Sequence, residues 1–403
     1  MSTSLLYHAF GIRGYRYVSS EYEGGGVIFR IRQDREQTCC AECGGDEFIY
    51  RGHTERLFRA PPIGSRPVTI AFPVPRLECL SCGAVRQASI LFADERQRHT
   101  KSFERFALDL SRHMTILAVA RHLKVGWDLI KDIQKRYLHR RFSRPKLHKL
   151  KLLAVDEIAV AKGQKYLTVV MDLESGAVVF VGDGRGAAAL DPFWQKLRRA
   201  RAKIQAVATD LSAAYILAVT TNLPGAVLVF DHFHVVKLFN EKLSDLRRAV
   251  QREAEEMHKQ VLKGTRWLLL KNPEDLDPTK REKERLDEAL LLNRPLATAY
   301  YLKEDLRQIW SQEDKAAAEA FLTDWVRRAE VAGITIVKKF AHLLATHRSG
   351  ILAWYDHPIS TGPLEGTNNK IKTMKRQAYG FRDIEFFKLK ILGIHESKYA
   401  LVG

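Results

Sequence analysis

Three acidic residues far apart in the chain have the types and settings for phosphoryl chemistry. Asp156 closes the apolar run LLAVD, Asp210 closes IQAVATD, and Glu365 sits in TGPLEGTNNKIK, a turn that opens a basic helix. A carboxylate at the edge of an apolar strand costs free energy unless something pairs with it. Two strand-end aspartates and a glutamate supply the hard oxygen ligands that a pair of Mg²⁺ (or Mn²⁺) ions requires for in-line displacement at phosphorus.

A second constellation is built from sulfur. Of five cysteines, four form C-x-x-C pairs, Cys40 with Cys43 and Cys79 with Cys82, each followed by glycine. Each pair lets one tight turn present two thiolates, and two such turns make a tetrahedral four-thiolate zinc site. With all four positions filled, this zinc is structural and not catalytic. Cys39 could replace Cys40 as ligand, and His53 is a substitute donor or a plain surface residue. VTIAFPVPRLEC alternates like a strand leading into the second turn, with FIYRG and RLFRAPP as hairpin neighbours.

The elements that must position these groups follow from the rest of the chain. At 403 residues and 46% hydrophobic it holds more than one cored domain. Its formal net charge of +18 favours a polyanionic partner, nucleic acid above all. The excess is concentrated: Arg96 to Lys151 holds 16 Lys and Arg against 4 Asp and Glu. No apolar run reaches the ~18 residues of a membrane span, and MSTSLLYHAFGIRGYRY lacks a signal-peptide pattern. A cytoplasmic, nucleoid-associated protein in a reducing environment is expected, with no membrane partner.

Within the basic stretch, Phe103, Phe106, Leu110 and Met114 mark one helix, and Ile116, Val119, Ala120 and Leu123 a short second one. Lys124-Val125-Gly126 reads as a turn, and Trp127, Ile130 and Ile133 start a third helix. Helix, glycine turn, helix is the spacing of a helix-turn-helix. Arg121, Lys124, Trp127, Lys131, Lys135, Arg136, Arg140 and Arg141 are its candidate DNA contacts; a helical hairpin with a solvated basic face is the alternative. Arg144-Pro145 reads as a linker.

From Lys151 the pattern turns to strands: LLAVDEIAV, KYLTVVMDL and AVVFVGDG, then a helix capped at Asp191-Pro192, strand IQAVATD, helix SAAYILAVTTN and strand AVLVFD. This order is that of an α/β ribonuclease-H-like fold, whose first and fourth strands lie side by side and would bring Asp156 and Asp210 together. In AVLVFDHFHVVK, Asp231 and His234 open a helix near the scissile phosphate, or His234 merely caps it. A polar helical block follows, in which Trp267 either stacks on a base or packs in a core. Glu365 then begins a helix whose dipole favours its ionised form, followed by Lys370, Lys372, Lys375 and Arg376 as phosphate contacts. The expected divisions are a zinc-ribbon domain over 1–95, a helix-turn-helix domain over 96–148, the core in two parts over 149–240 and 341–403, and a helical insertion over 241–340.

Taken together, the paired cysteine turns, ARHLKVGWDLI, LAVDE, ATDLSAAY, VFDHFHVVK, WLLLKN and EGTNNKIKTMKRQAYGFRD resemble the DDE transposases of bacterial insertion sequences, the ISL-three-type group in particular. The resemblance covers nearly the whole chain. It implies that Asp156, Asp210 and Glu365 bind two Mg²⁺ (or Mn²⁺) per active site. It also implies that the N-terminal domains recognise terminal inverted repeats. Other DDE groups can carry an arginine four residues before the glutamate; here that position is Thr361, so no arginine clamp is carried over. The expected function is DNA cleavage and 3′-OH strand transfer by a homodimer on double-stranded DNA. A structure-selective nuclease, or a DNA-binding regulator descended from a transposase, is the alternative.

Overall fold

The computed structural model describes residues 5–33, 38–161, 165–253, 261–262, 265–399 and 402. Two compact units emerge, residues 1–141 and 142–403. The expected border at 148 therefore moves back to the last turn of a helix.

The first unit begins with α1 (Leu5–Phe10), β1 (Tyr15–Glu23) and β2 (Gly26–Gln33), a hairpin beyond those expected from the sequence. The long hairpin β3 (Phe48–Ile63) and β4 (Arg66–Cys79) completes a sheet in the order β1-β2-β4-β3, with β5 (Val85–Gln87) on β4. One face is aromatic: Phe29, Phe58, Phe72 and Phe92 are buried, and Tyr15 stands edge-on to Phe72 at 5.1 Å and Phe92 at 5.0 Å. The N-terminal region is thus a sheet with its own core, and the cysteine turns occupy only one end of it.

The basic stretch folds as α2 (Lys101–Leu110), α3 (Ile116–Leu123) and α4 (Trp127–Phe142). Thr100 and Thr115 cap the first two by accepting from the Phe103 and Ala118 amides. Phe103, Ala107, Val119, Leu123, Ile130 and Ile133 form their shared core. The turn's left-handed residue is Lys124 (φ 52°), while Gly126 takes an ordinary conformation.

Buried Glu104 joins α2 to α4. A hydrogen bond from His99, assisted by the Arg136 guanidinium, holds its carboxyl below the usual range. A depressed carboxyl stabilises the fold above its unfolded value, and that stability is lost as pH falls through its folded value. The first unit is therefore expected to weaken below about pH 4, and Glu104→Gln to flatten that decline in acid melts followed by circular dichroism.

The second unit is built on a five-stranded sheet in the order β10-β9-β6-β7-β8. Its strands are β6 (Leu152–Ala161), β7 (Lys165–Asp172), β8 (Ala177–Asp183), β9 (Ala206–Thr209) and β10 (Val227–Phe230). The first three form an antiparallel meander, and β9 and β10 run parallel to β6. This is the expected ribonuclease-H-like topology. Strand alternation divides the core. Leu153, Val155 and Val207 face α5 (Asp191–Ala200) and α6 (Ala213–Asn222). Ala154, Ile158 and Ala208 face helices that arrive much later in the chain.

Between β10 and those helices lies the helical body. It opens with α7 (His232–Glu253) and continues through α8 (Arg266–Leu270), α9 (Glu282–Leu291), α10 (Arg294–Arg307), α11 (Lys315–Val331), α12 (Thr335–Thr346) and α13 (Arg348–Leu352). The expected border at 340 falls inside α12. Phe239, Leu243, Leu296, Leu306, Trp325 and Phe340 give the body its own apolar core. The chain then supplies α14 (Gly362–Gln377), α15 (Ile384–Leu392) and α16 (Glu396–Tyr399).

Candidate active site

The parallel register runs from Leu152↔Ala206 to Ala154↔Ala208, and β9 stops at Thr209. Two residues on, the same register sets Asp156 level with Asp210. Asp156 does not end its strand as expected, because β6 continues to Ala161 against β7. What ends beside it is β9, at Thr209. Asp156 points to the α14 face, where the Asn368 amide donates to its Oδ2 at 2.8 Å and the Glu157 amide to its Oδ1 at 2.8 Å. Asp210 closes a turn by accepting from the Ser212 amide at 3.0 Å.

Burial pushes the Asp156 carboxyl upward. The Glu157 amide and a nearby His234 charge act against the rise, while Asp210 and Glu157 add to it. A half-buried carboxylate beside Asp210 and Glu157 offers the hard oxygen donors a divalent cation takes, though the oxygens of Asp156, Asp210 and Glu365 do not all lie within 4.8 Å of one another. Asn368 completes the fit, since its Oδ1 is buried and unpartnered while its amide serves Asp156.

Glu365 is exposed in the first turn of α14, one turn before Asn368, and Pro363 pre-sets that turn. Leu364 and Ile371 anchor the helix to the sheet. Glu365, Asn369, Lys372 and Arg376 form one exposed stripe at helical spacing. Lys370 is exposed and Lys375 half-buried.

Asp231 has another job than the expected one beside a phosphate. It is 1% exposed, and its oxygens accept from the Thr361 amide at 2.6 Å, the Thr361 hydroxyl, and the Phe233 amide at 2.8 Å. It fixes the turn that carries Glu365. Thr361 is the other half of this clamp. Removing the carboxylate leaves buried donors without acceptors, at about 1–3 kcal/mol each. Asp231→Ala is expected to lower the unfolding free energy by several kcal/mol in urea titrations. It should also depress kcat roughly 100-fold through misplacement of Glu365. His234 is half-buried on the adjacent helix turn, with no hydrogen-bond partner among the described residues.

At the cysteines, the β3–β4 pairing of Phe48 with Cys79 brings the two turns together. The four sulfurs lie within 4.8 Å of one another, with Cys40–Cys82 at 3.8 Å and Cys43–Cys79 at 3.5 Å. A tetrahedron with Zn–S bonds of about 2.3 Å has edges of about 3.8 Å, so the set fits zinc. The Cys82 amide, joined by that of Ser81, draws the Cys79 thiol down to about 6. Gly44 and Gly83 take positive φ (76° and 68°), letting their amides return to the Cys40 and Cys79 carbonyls. Cys39 and His53 are not part of the cluster, so Cys40 is the ligand.

Among the expected DNA contacts, Arg121, Trp127, Arg140 and Arg141 are exposed, and Lys131 and Lys135 half-buried. Lys131 stands 5.9 Å from the Trp127 ring. Lys124 reaches the Ser65 carbonyl at 3.4 Å. Arg136 is turned inward, to Gln97, His99 and Glu104, and so serves the fold of the first unit. Trp267 is 65% exposed under the Arg266 guanidinium, which excludes core packing. Asn368 is a site residue that the sequence hardly signals; its one mark is a position three residues after Glu365. Tyr379 is fully exposed in a left-handed conformation (φ 52°) just past the end of α14.

Comparison with known proteins gives the family of each part of the chain. Residues 153–391 match a transposase family, residues 90–138 the helix-turn-helix domain of transposase family ISL3, and residues 36–82 the zinc-finger of transposase IS204/IS1001/IS1096/IS1165. The transposase for insertion sequence element IS1001 of Bordetella parapertussis is 36% identical over 388 residues, covering 94% of this chain and 95% of that protein. The transposase for IS1557 of Mycobacterium tuberculosis (strain CDC 1551 / Oshkosh) is 30% identical over 389 residues, 89% of this chain and 86% of its own. A solved Drosophila P element transposase strand transfer complex aligns with 74% of this chain and 92% of its own at 12% identity and a TM-score of 0.40, too slight a likeness to carry an argument. With a zinc ribbon, a helix-turn-helix and a ribonuclease-H-like core matched in chain order, this protein belongs to the ISL3 family of DDE transposases.

Proposed function

We propose that the chain binds the terminal inverted repeats of an insertion sequence, cuts the DNA there, and joins the freed 3′-OH to target DNA. The observation that carries this reading is the hydrogen bond from Asn368, on the Glu365 helix, to Asp156, the residue level with Asp210. It ties the helix that carries Glu365 to the strand that carries Asp156, and so supports a reading in which carboxylates from three segments of the chain serve one site. Asp156, Asp210 and Glu365 would hold two Mg²⁺ or Mn²⁺ ions. When bound, such a pair activates water and stabilises the leaving 3′ oxygen.

The remaining work falls to the protein's own groups. Asn368 fixes the Asp156 rotamer, and the dipole at the start of α14 complements the Glu365 charge. His234, whose charge is felt at Asp156, would donate to a phosphate oxygen. Lys370, Lys372, Lys375 and Arg376 follow the DNA backbone along α14, while Trp267 offers a ring to an unstacked base. No covalent protein intermediate is needed, because the chemistry is positioning and electrostatics. Arg121, Lys124, Trp127, Lys131, Lys135, Arg140 and Arg141 read the ends. Two ends cut by one site each require at least a homodimer on DNA.

The test incubates purified protein with labelled DNA carrying the sequences that flank its coding region, with Mg²⁺ or Mn²⁺. The expected result is cleavage at the ends followed by 3′-end joining to a plasmid. Cleavage without joining would make the protein a structure-selective nuclease. Specific binding without cleavage would make it a regulator.

A further inference from the structure

At the opposite rim of the catalytic sheet lies a cavity of about 660 Å³. It opens where β6 and β9 begin, whereas Asp156 and Asp210 lie toward their far ends. From Lys151 to Asp156 is five residues of strand, about 16 Å. Lys149, Lys151, Arg201 and Lys203 line it, together with Asp172 and Glu174. The acids do not neutralise it. Asp172 is 4% exposed and spends its oxygens on Ser175 and the Glu174 and Ser175 amides. Glu174 lies 3.8 Å from Lys151. Lys149, Arg201 and Lys203 keep exposed side chains with no hydrogen bond or ion pair among the described residues.

Three cations from two separate segments around one concavity repel one another, an arrangement that a polyanion relieves. Arg201 carries a second signal. It caps α5 in the left-handed conformation (φ 53°), where glycine is the ordinary residue. A favourable interaction with the helix dipole accounts for arginines in the last turn of α5. It does not account for Lys149, Lys151 or Lys203, which lie outside that helix.

We infer that this cleft is a second DNA site on the catalytic unit, one that holds the sugar-phosphate backbone of duplex DNA roughly five base pairs of rise from the reacting phosphate. The inference rests on the transposase reading. Of the four Lys and Arg side chains in the lining three are lysines, which act on phosphate as point charges without reading bases. The cleft therefore adds affinity and register on any sequence and leaves end recognition to the first unit. An open concavity whose buried polar lining residue, Asp172, spends its oxygens on its own turn suits a backbone better than a small anion.

The experiment uses the full chain and measures affinity for end-bearing and unrelated duplexes against salt concentration. Lys149→Ala/Arg201→Ala/Lys203→Ala is expected to reduce the slope of log K on log salt by about 2 to 3 on both duplexes, near 0.9 for each phosphate no longer neutralised. At saturating protein the variant should still cut. Arg201→Gly separates fold from function: relief of the left-handed strain should raise its melting temperature while DNA affinity falls. An unchanged slope in a variant whose parent binds and cuts DNA overturns the cleft and spares the transposase reading. So does tight binding of inorganic phosphate alone with an unchanged duplex slope. A parent protein that binds no DNA takes both down.

Discussion

Asp156→Asn is expected to lower metal-dependent strand cleavage by at least roughly a thousandfold, equivalent to about 4 kcal/mol of transition-state stabilisation. The amide keeps the shape and one acceptor but removes the charge that a hard cation requires. Because Asn368 and the Glu157 amide both donate to this carboxylate, the new NH₂ must face one of those donors. The variant thus loses the ligand and its orientation together. Asp210→Asn and Glu365→Gln should show the same loss, and combining any two should cost little more than one, since ligands to one centre act as a unit. DNA affinity should be retained. A linked measurement separates metal from fold. Mg²⁺ stabilises whatever state binds it, so adding it should raise the parent's melting temperature and leave that of Asp156→Asn unmoved. Cleavage by the variant at the parent's rate would remove Asp156 from the chemistry.

Removing zinc is the other large effect. Four-thiolate and related zinc peptides owe apparent binding free energies on the order of 10 kcal/mol to the metal. Here the cysteines sit at the end of a hairpin that also has an aromatic core around Tyr15, Phe58, Phe72 and Phe92. Chelation or Cys79→Ser should therefore open the cysteine end and not the whole sheet. Hydrogen exchange should accelerate over residues 40–50 and 76–87 and stay slow over residues 68–74. The protein should carry one zinc per chain. Cys39→Ser should keep it, and Cys79→Ser should lose it.

The contrast between what can and cannot be read from the residues has physical causes. The two C-x-x-C-G turns are legible because the ligands of a metal lie close in sequence within each turn. The ribonuclease-H-like order is legible because a buried strand such as AVVFV is a nearly continuous apolar run. The hairpin β1–β2 is hidden because the outer face of β1 is polar and most of YRYVSSEYE is exposed, which blunts its alternation. Arg136 looks like its basic neighbours, and only the fold reveals that it faces Glu104. Asp231 misleads for the same reason. A charged residue at a strand end signals a function, but whether that function is chemistry or construction depends on a partner 130 residues away.

That separation bears on how the protein is made. A hydrogen bond across 130 residues cannot close until Thr361 has been synthesised, so the chain emerges with its sheet and DNA-binding unit well ahead of its last carboxylate. At ordinary elongation rates of about 5–20 residues per second, the gap of 130 residues lasts roughly 6 to 26 seconds. During it, Asp231 waits without its cross-chain donors and the growing chain has no complete catalytic centre. A product truncated anywhere in the helical body inherits the same state permanently: it keeps the helix-turn-helix of its first unit, lacks Glu365, and leaves Asp231 with the Phe233 amide but without Thr361. Shortened copies of this gene would thus act as competitors of the intact enzyme.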